Sequence, residues 1–126
     1  MTEKILIVDD DVDTLRLVGL MLQRQGYQIS AAANGQQGLS KAAEENPDLI
    51  LLDVMMPELD GFAACAKLKS SPQSRGIPVV LLTGVAKQIT RTRYPIDGVL
   101  RAEANDYLEK PLEPEALLKA VACYLN

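Results

Sequence analysis

The residues of this sequence that could do chemistry are carboxylates, a hydroxyl and an amine, each placed directly after a short apolar or β-forming run. If these runs are parallel strands, their carboxyl ends share one edge of a sheet, which is where open α/β sheets bind ligands. The residues are Asp9, Asp10, Asp53, Thr83 and Lys110. Histidine is absent from the 126 residues, which excludes Ser-His-Asp and Cys-His mechanisms.

Three aspartates at one edge of a sheet require a counter-charge. Two carboxylates about 4 Å apart repel by about 4 kcal/mol at an effective dielectric near 20. A hard divalent cation relieves this repulsion, and Mg²⁺ is favoured because it needs few carboxylates and keeps several waters or phosphate oxygens. Three aspartates, one Mg²⁺ and Lys110 sum to zero charge. Because aspartate is a competent nucleophile for phosphoryl transfer, the residues predict phosphorylation of one Asp with Mg²⁺ as cofactor.

Short apolar runs alternate along the chain with segments of helical period. Three runs are apolar on both faces, as in interior strands of a parallel sheet: Ile5–Val8, Leu49–Leu52 and Val79–Leu82. Residues 27–31 alternate like an edge strand, and residues 106–108 are a weaker fifth strand. Helices are predicted over residues 12–25, 35–45, 60–69 and 115–125.

The order of these elements predicts the fold class. Strands and helices alternate with short connections, which requires parallel strands and gives an α/β, doubly wound (βα)5 sandwich around a five-stranded sheet. Residues 84–105 should add a further helix, short or broken because Gly84, Pro95 and Gly98 interrupt the period. The whole chain, residues 1–126, is predicted to form one domain.

Composition excludes several classes of function. The net charge of −4 argues against direct nucleic-acid binding, and no apolar run is long enough for a membrane span. Cys65 and Cys123 lack a CxxC partner and are predicted to be small buried apolar residues in a reducing, cytoplasmic setting.

Four motifs, in order and spread over nearly the whole chain, resemble the receiver domain of two-component response regulators, in particular the single-domain chemotaxis receivers. They are Asp9-Asp10, the stretch from Asp53 to Gly61 (DVMMPELDG), Thr83-Gly84, and the stretch from Asp106 to Pro111 (DYLEKP). The resemblance implies a flavodoxin-like fold and a phosphorylation-controlled switch that is not a conventional enzyme. It also implies two kinds of partner, a histidine kinase or phosphotransfer protein and a downstream protein target.

The resemblance also implies roles for individual residues. Asp53 is the phosphoacceptor, and Thr83 and Lys110 contact the phosphoryl oxygens. Mg²⁺ is bound by Asp10, Asp53 and the main-chain carbonyl of Met55, with Asp9 acting through water. Thr83 and Tyr107 form the switch, although an aromatic residue in a strand is more often part of the core than a switch. Lys110-Pro111 is the expected cis peptide, since X-Pro bonds reach cis at low cost.

Other interpretations of single residues are structural. Asp11 and Asp13 are predicted to cap the first helix and occupy its first turn. The side chains of Met55 and Met56 are expected to pack.

Three other functions are alternatives to that of a receiver. A haloacid-dehalogenase-type hydrolase also uses an Asp nucleophile and Mg²⁺, but it needs a second acid where this chain has Met55. A flavodoxin-like FMN carrier needs hydroxyl and glycine donors after the first strand, where this chain is acidic. A receiver-like interaction domain that works without phosphorylation stays open.

Overall fold

The computed structural model describes residues 2–55, 61–83 and 104–125. These ranges contain five strands, β1 (Lys4–Val8), β2 (Gln28–Ala32), β3 (Leu49–Asp53), β4 (Val79–Thr83) and β5 (Asp106–Glu109). They also contain four helices, α1 (Val12–Arg24), α2 (Gly35–Glu45), α3 (Gly61–Ser70) and α4 (Pro114–Leu125).

The five strands form one parallel sheet in the order β2-β1-β3-β4-β5. The chain therefore moves from β1 outward to β2, returns past β1 to β3, and continues to β5. This reversal places the carboxyl ends of β1 and β3 side by side, so the crevice of a doubly wound sheet opens there. The predicted fold class is confirmed, and β2 is an edge strand as predicted, although it begins one residue later than expected.

Alternate residues of the interior strands feed two separate cores because successive side chains of a strand point to opposite faces. On one face, Leu6, Val8, Leu52 and other strand residues pack with α2 and α3. On the other face, Ile5, Ile7 and their neighbours pack with α1 and α4. All residues of β3 and β4 are buried, which explains why both strands are apolar up to their last residues, Asp53 and Thr83.

The predicted helix boundaries have visible local causes. The side chain of Asp11 accepts a hydrogen bond from the backbone N–H of Asp13 (3.0 Å), so the predicted cap at the start of α1 is confirmed. Gly26 has φ +95°, a conformation that allows the chain to turn sharply after α1. Asn34 caps α2 in the same way as Asp11, and Asn46 ends α2 in the left-handed conformation.

Two packing predictions were wrong. The side chain of Met55 is 59% exposed because it lies in the loop beyond β3, and Cys123 is exposed on α4 whereas Cys65 is buried as predicted. Met56 and most of the predicted helix within residues 84–105 lie outside the described residues. No helix among the described residues is long and apolar enough to cross a membrane.

Candidate functional site

The predicted site residues lie at one edge of the sheet, beyond or at the carboxyl ends of four neighbouring strands. Asp9 follows β1, Asp53 ends β3, and Thr83 ends β4; all three side chains are buried. Asp10, next along the chain from Asp9, is exposed. The edge therefore combines two acids inside the protein with a third at its surface.

Lys110 reaches this edge from the end of β5. Its Nζ lies 2.7 Å from Oδ2 of Asp9 and 3.6 Å from Oδ2 of Asp53. Its backbone N–H donates to the carbonyl of Thr83 at 2.6 Å, which holds the lysine beside the end of β4. The Lys110-Pro111 peptide is cis, as predicted. The ammonium group thus contacts two carboxylates that lie at the ends of two different strands.

Backbone hydrogen bonds orient the two buried carboxylates. Oδ1 of Asp9 accepts from the N–H of Asp11 at 2.9 Å, and Oδ1 of Asp53 accepts from the N–H of Met55 at 3.1 Å. In both acids Oδ2 is then the oxygen that faces Lys110. Each carboxylate has one oxygen held by its own loop and one directed to the shared site.

The negative charge at this edge of the sheet exceeds the positive charge that Lys110 supplies. Burial raises the pKa of Asp53 from 3.8 to about 6; the charge of Asp9 adds to the increase, and the Met55 N–H and Lys110 oppose it. Burial also acts to lower the pKa of Lys110, but its hydrogen bond to Asp9 and the charges of Asp53 and Asp9 outweigh burial and raise it. One lysine does not compensate for the two acids it contacts and Asp10 beside them.

The donor set fits a hard divalent cation. One carboxylate oxygen from each of Asp9, Asp10 and Asp53 can be chosen so that all three lie within 4.8 Å of one another. Oxygen ligands from carboxylates are those that Mg²⁺ prefers, and its charge relieves the repulsion among them. Among the described residues these three form a candidate metal site, which we name the aspartate cluster.

Two further predicted site residues, Met55 and Tyr107, lie outside the aspartate cluster. Met55 follows Asp53 by two residues, and its backbone N–H is already engaged with that acid. Tyr107 lies in β5, paired with Leu81 of β4, and is 37% exposed. Its role as a switch stays a prediction.

One residue near the site had no predicted role beyond its place in the motif. Gly61, the first residue of α3, is buried and donates its N–H to the carbonyl of Val54 at 3.2 Å. Its place as the last residue of the motif that begins at Asp53 is the only signal in the sequence. Its importance depends on a close approach between α3 and β3 that no local pattern reveals.

Comparison with known proteins agrees with this geometry. The family model for the response regulator receiver domain matches residues 5–122. The chain belongs to the response regulator receiver family. As a receiver domain it is a signalling module of two-component systems rather than a conventional enzyme, and phosphorylation and Mg²⁺ are typical of the family.

Individual relatives differ in how much of their length this receiver domain covers. It is 43% identical over 121 residues to the response regulator PleD of Caulobacter vibrioides, covering 96% of this chain but only 26% of PleD. The chemotaxis protein CheY4 of Vibrio cholerae superposes with a TM-score of 0.89 at 30% identity, covering 98% of this chain and 99% of CheY4.

A third relative is solved with a metal ion. The receiver domain of the sensor histidine kinase PA1611 from Pseudomonas aeruginosa has a TM-score of 0.87 and 30% identity, covering 99% of this chain and 98% of that one. That structure has a magnesium ion coordinated in its active-site cleft.

Proposed function

We propose that this chain is a phosphorylation-activated receiver of a two-component phosphorelay, with residues 1–126 acting as one unit and Asp53 as the phosphoacceptor. The observation that carries the proposal is the placement of the Asp53 carboxylate. It is buried, its Oδ1 is held by the Met55 N–H, and its Oδ2 lies in the shared site 3.6 Å from Lys110 Nζ. Asp9 instead forms the closer ion pair with Lys110, at 2.7 Å.

The proposed step transfers a phosphoryl group from a phosphohistidine of the kinase or phosphotransfer protein. Oδ2 of Asp53 forms a new P–O bond, the P–N bond to the histidine breaks, and its electron pair returns to the imidazole. Lys110, with its Nζ 3.6 Å from Asp53, would neutralise charge on the phosphoryl oxygens, and Thr83, at the end of the strand next to β3, would contact them. Hydrolysis of the acyl phosphate later restores the carboxylate.

Mg²⁺ is the proposed cofactor. Asp10, Asp53 and the main-chain carbonyl of Met55 would hold it, with Asp9 contributing through water. When bound, it supplies positive charge to the acids and to the transferring group. The aspartate cluster and the magnesium ion in the PA1611 receiver support this assignment.

The partners follow from the same proposal. A histidine kinase or phosphotransfer protein supplies the phosphoryl group, and a downstream protein target binds the switched surface. Within this proposal the chain acts in the cytoplasm, and its net charge of −4 argues against direct contact with nucleic acid.

The test of this function is intact-mass measurement after incubation with acetyl phosphate, with and without Mg²⁺. We expect one phosphoryl adduct, dependent on Mg²⁺, that peptide mapping places on Asp53. Asp53→Asn should abolish it, whereas Asp11→Asn, which alters only a helix cap, should retain it. Label at full yield in Asp53→Asn would contradict the assignment, and a wild-type chain that never gains phosphoryl mass would favour an interaction domain that works without phosphorylation.

The proposed output is a conformational switch through Thr83 and Tyr107. Phosphorylation makes the site more negative by about one charge and attracts hydrogen-bond donors. Thr83 is tied to Lys110 through its carbonyl and is buried, and Tyr107 lies on the next strand, partly exposed.

Thr83→Ala should therefore accept the phosphoryl group but lose most of the conformational response at Tyr107. The measurement is the change in amide chemical shifts on phosphorylation, compared between wild type and variant, with Thr14→Ala in α1 as the control. Identical changes in wild type and Thr83→Ala would show that Thr83 does not transmit the signal.

A further inference from the structure

Gly61 lies unusually close to the backbone that carries Asp53. A Cβ atom built at Gly61 would lie 2.2 Å from the carbonyl oxygen of Asp53 and 2.5 Å from Cα of Val54. Outside their own residue and its chain neighbours, real Cβ atoms essentially never approach another heavy atom closer than 3.0 Å. Since both neighbours are backbone atoms, no side chain can rotate away to make room.

Neither side of this contact is free to move independently. The turn after Asp53 is held on its other side, where the N–H of Val54 donates to the carbonyl of Leu82 at 3.1 Å. The α3 helix is anchored in the core by Ala64, Cys65 and Leu68, all buried. A side chain at position 61 would displace the helix, the turn, or both, against close-packed surroundings.

Local preference alone would favour another residue at this position. Alanine is a better helix former than glycine by about 1 kcal/mol, and Gly61 is not in the left-handed region. Gly19 in α1 provides the contrast, because a Cβ there would lie 3.6 Å from Cγ2 of Ile29, an ordinary contact. Glycine at position 61 is therefore explained by the close approach and not by a turn.

We propose that Gly61 is a positioning residue for the phosphoacceptor site. Its missing side chain allows the start of α3 to pack against the Asp53–Val54 peptide, and its N–H bond to Val54 holds that turn in place. Together these contacts set the relative placement of the Asp53 carboxylate and the Met55 backbone. The inference rests on the proposed function, in which those two groups bind the same Mg²⁺.

The experiment compares Gly61→Ala with Gly19→Ala as the matched glycine-to-alanine control. A double variant that combines Gly61→Ala with Gly19→Ala is also tested. Its alanine at position 19 adds helix propensity and offsets some loss of stability. Two quantities are measured by NMR, the amide chemical shifts of the metal-free proteins and the Mg²⁺ dissociation constant by titration. Far-UV circular dichroism confirms folding.

We expect Gly61→Ala to remain folded, to move the amide signals of residues 53–55 more than those of the rest of the sheet, and to raise the Mg²⁺ dissociation constant by about tenfold or more. Gly19→Ala should leave both quantities unchanged. The proposal would be overturned if the signals of residues 53–55 do not move, or if the chain is unfolded both as Gly61→Ala and as the double variant. It would also be overturned if the wild-type chain binds Mg²⁺ and Gly61→Ala binds it with the same dissociation constant.

Failure of the proposed function would give a different result. The wild-type chain would then bind no Mg²⁺, and the metal-free chemical shifts alone would decide whether Gly61 positions the turn. Moved signals at residues 53–55 would support its positioning role, and unmoved signals would refute it.

Discussion

At the scale of single residues, the site is built from acids whose environments differ although their sequence context is similar. Asp9 is buried and paired with Lys110, Asp10 is exposed beside it, and Asp11 is a helix cap. Asp53 is buried like Asp9 but lies farther from the lysine. Asp53 therefore loses its contact with water on folding without gaining an ion pair as close as that of Asp9. The ionisation of Asp53 should for this reason affect the stability of the domain.

Asp53→Asn should stabilise the metal-free domain near neutral pH. The pKa of Asp53 rises from 3.8 to about 6 on folding, which means that the protonated carboxyl favours the folded state. The contribution of Asp53 to the free energy of unfolding is therefore fully present below the unfolded pKa and is lost as the pH rises through the folded pKa. The neutral asparagine avoids that loss, and we expect the free energy of unfolding to rise by about 1–3 kcal/mol near pH 7.

Urea unfolding in a chelating buffer at several pH values measures this effect. The difference between Asp53→Asn and wild type should shrink toward pH 4, whereas the exposed Asp13→Asn control should show no such trend. A variant that is less stable than wild type near pH 7, or an advantage that grows on acidification, would contradict the prediction.

At the scale of elements, three of the four described helices, α1, α3 and α4, follow a loop that holds a site residue. The α1 helix begins after Asp9 and Asp10, and its capping residue, Asp11, also donates its N–H to Asp9. The α2 helix packs over β1, where Gly38 faces Val8, the last residue before Asp9. Helix packing therefore bears on the position of the acids as well as on the core.

Gly38→Ala should destabilise the domain although alanine favours helices. A Cβ at Gly38 would lie 2.9 and 3.0 Å from the two methyl carbons of Val8, so α2 or the buried valine must move. Overpacking of this kind costs about 1–3 kcal/mol, which exceeds the gain of about 1 kcal/mol in helix propensity.

The measurement is the midpoint and slope of urea unfolding for Gly38→Ala and for Gly19→Ala, where the built Cβ meets only an ordinary contact. Gly19→Ala should be neutral or slightly stabilising. If both alanines stabilise the domain equally, the contact between α2 and Val8 is not as close-packed as the structure indicates.

At the scale of the whole molecule, the sheet joins residues that are distant in sequence. Asp9 and Lys110 are 101 positions apart, yet they form the closest ion pair of the site. Any ligand of the aspartate cluster therefore binds the folded state and has no comparable site in the unfolded chain. Such a ligand must raise the stability of the domain as a unit.

Mg²⁺ at ten times its dissociation constant should raise the free energy of unfolding by about 1.4 kcal/mol. Asp11→Asn should keep this increase because Asp11 serves as a helix cap, whereas Asp10→Asn should lose most of it because Asp10 belongs to the aspartate cluster. Thermal or urea unfolding with and without Mg²⁺ provides the measurement. Equal increases in the two variants would place the metal elsewhere.

The sequence by itself determined the strands, their parallel arrangement and the edge at which the polar residues meet. These features depend on local patterns: continuous apolar runs for buried strands, helical periods between them, and polar residues directly after each run. The same information predicted the cap at Asp11, and the resemblance to the family pointed to the cis peptide before Pro111. It also reached the family, because four short motifs in order are specific.

Only the tertiary structure decided which of these residues are in contact and which are exposed. Sequence patterns gave no means to assign the closer lysine contact to Asp9, to expose Met55 and Cys123, or to place Gly61 against the backbone of Asp53. Each of these depends on distances between elements that are set by sheet register and helix packing. Periodicity is a property of one segment, whereas burial, charge pairing and close approach are properties of segments packed together.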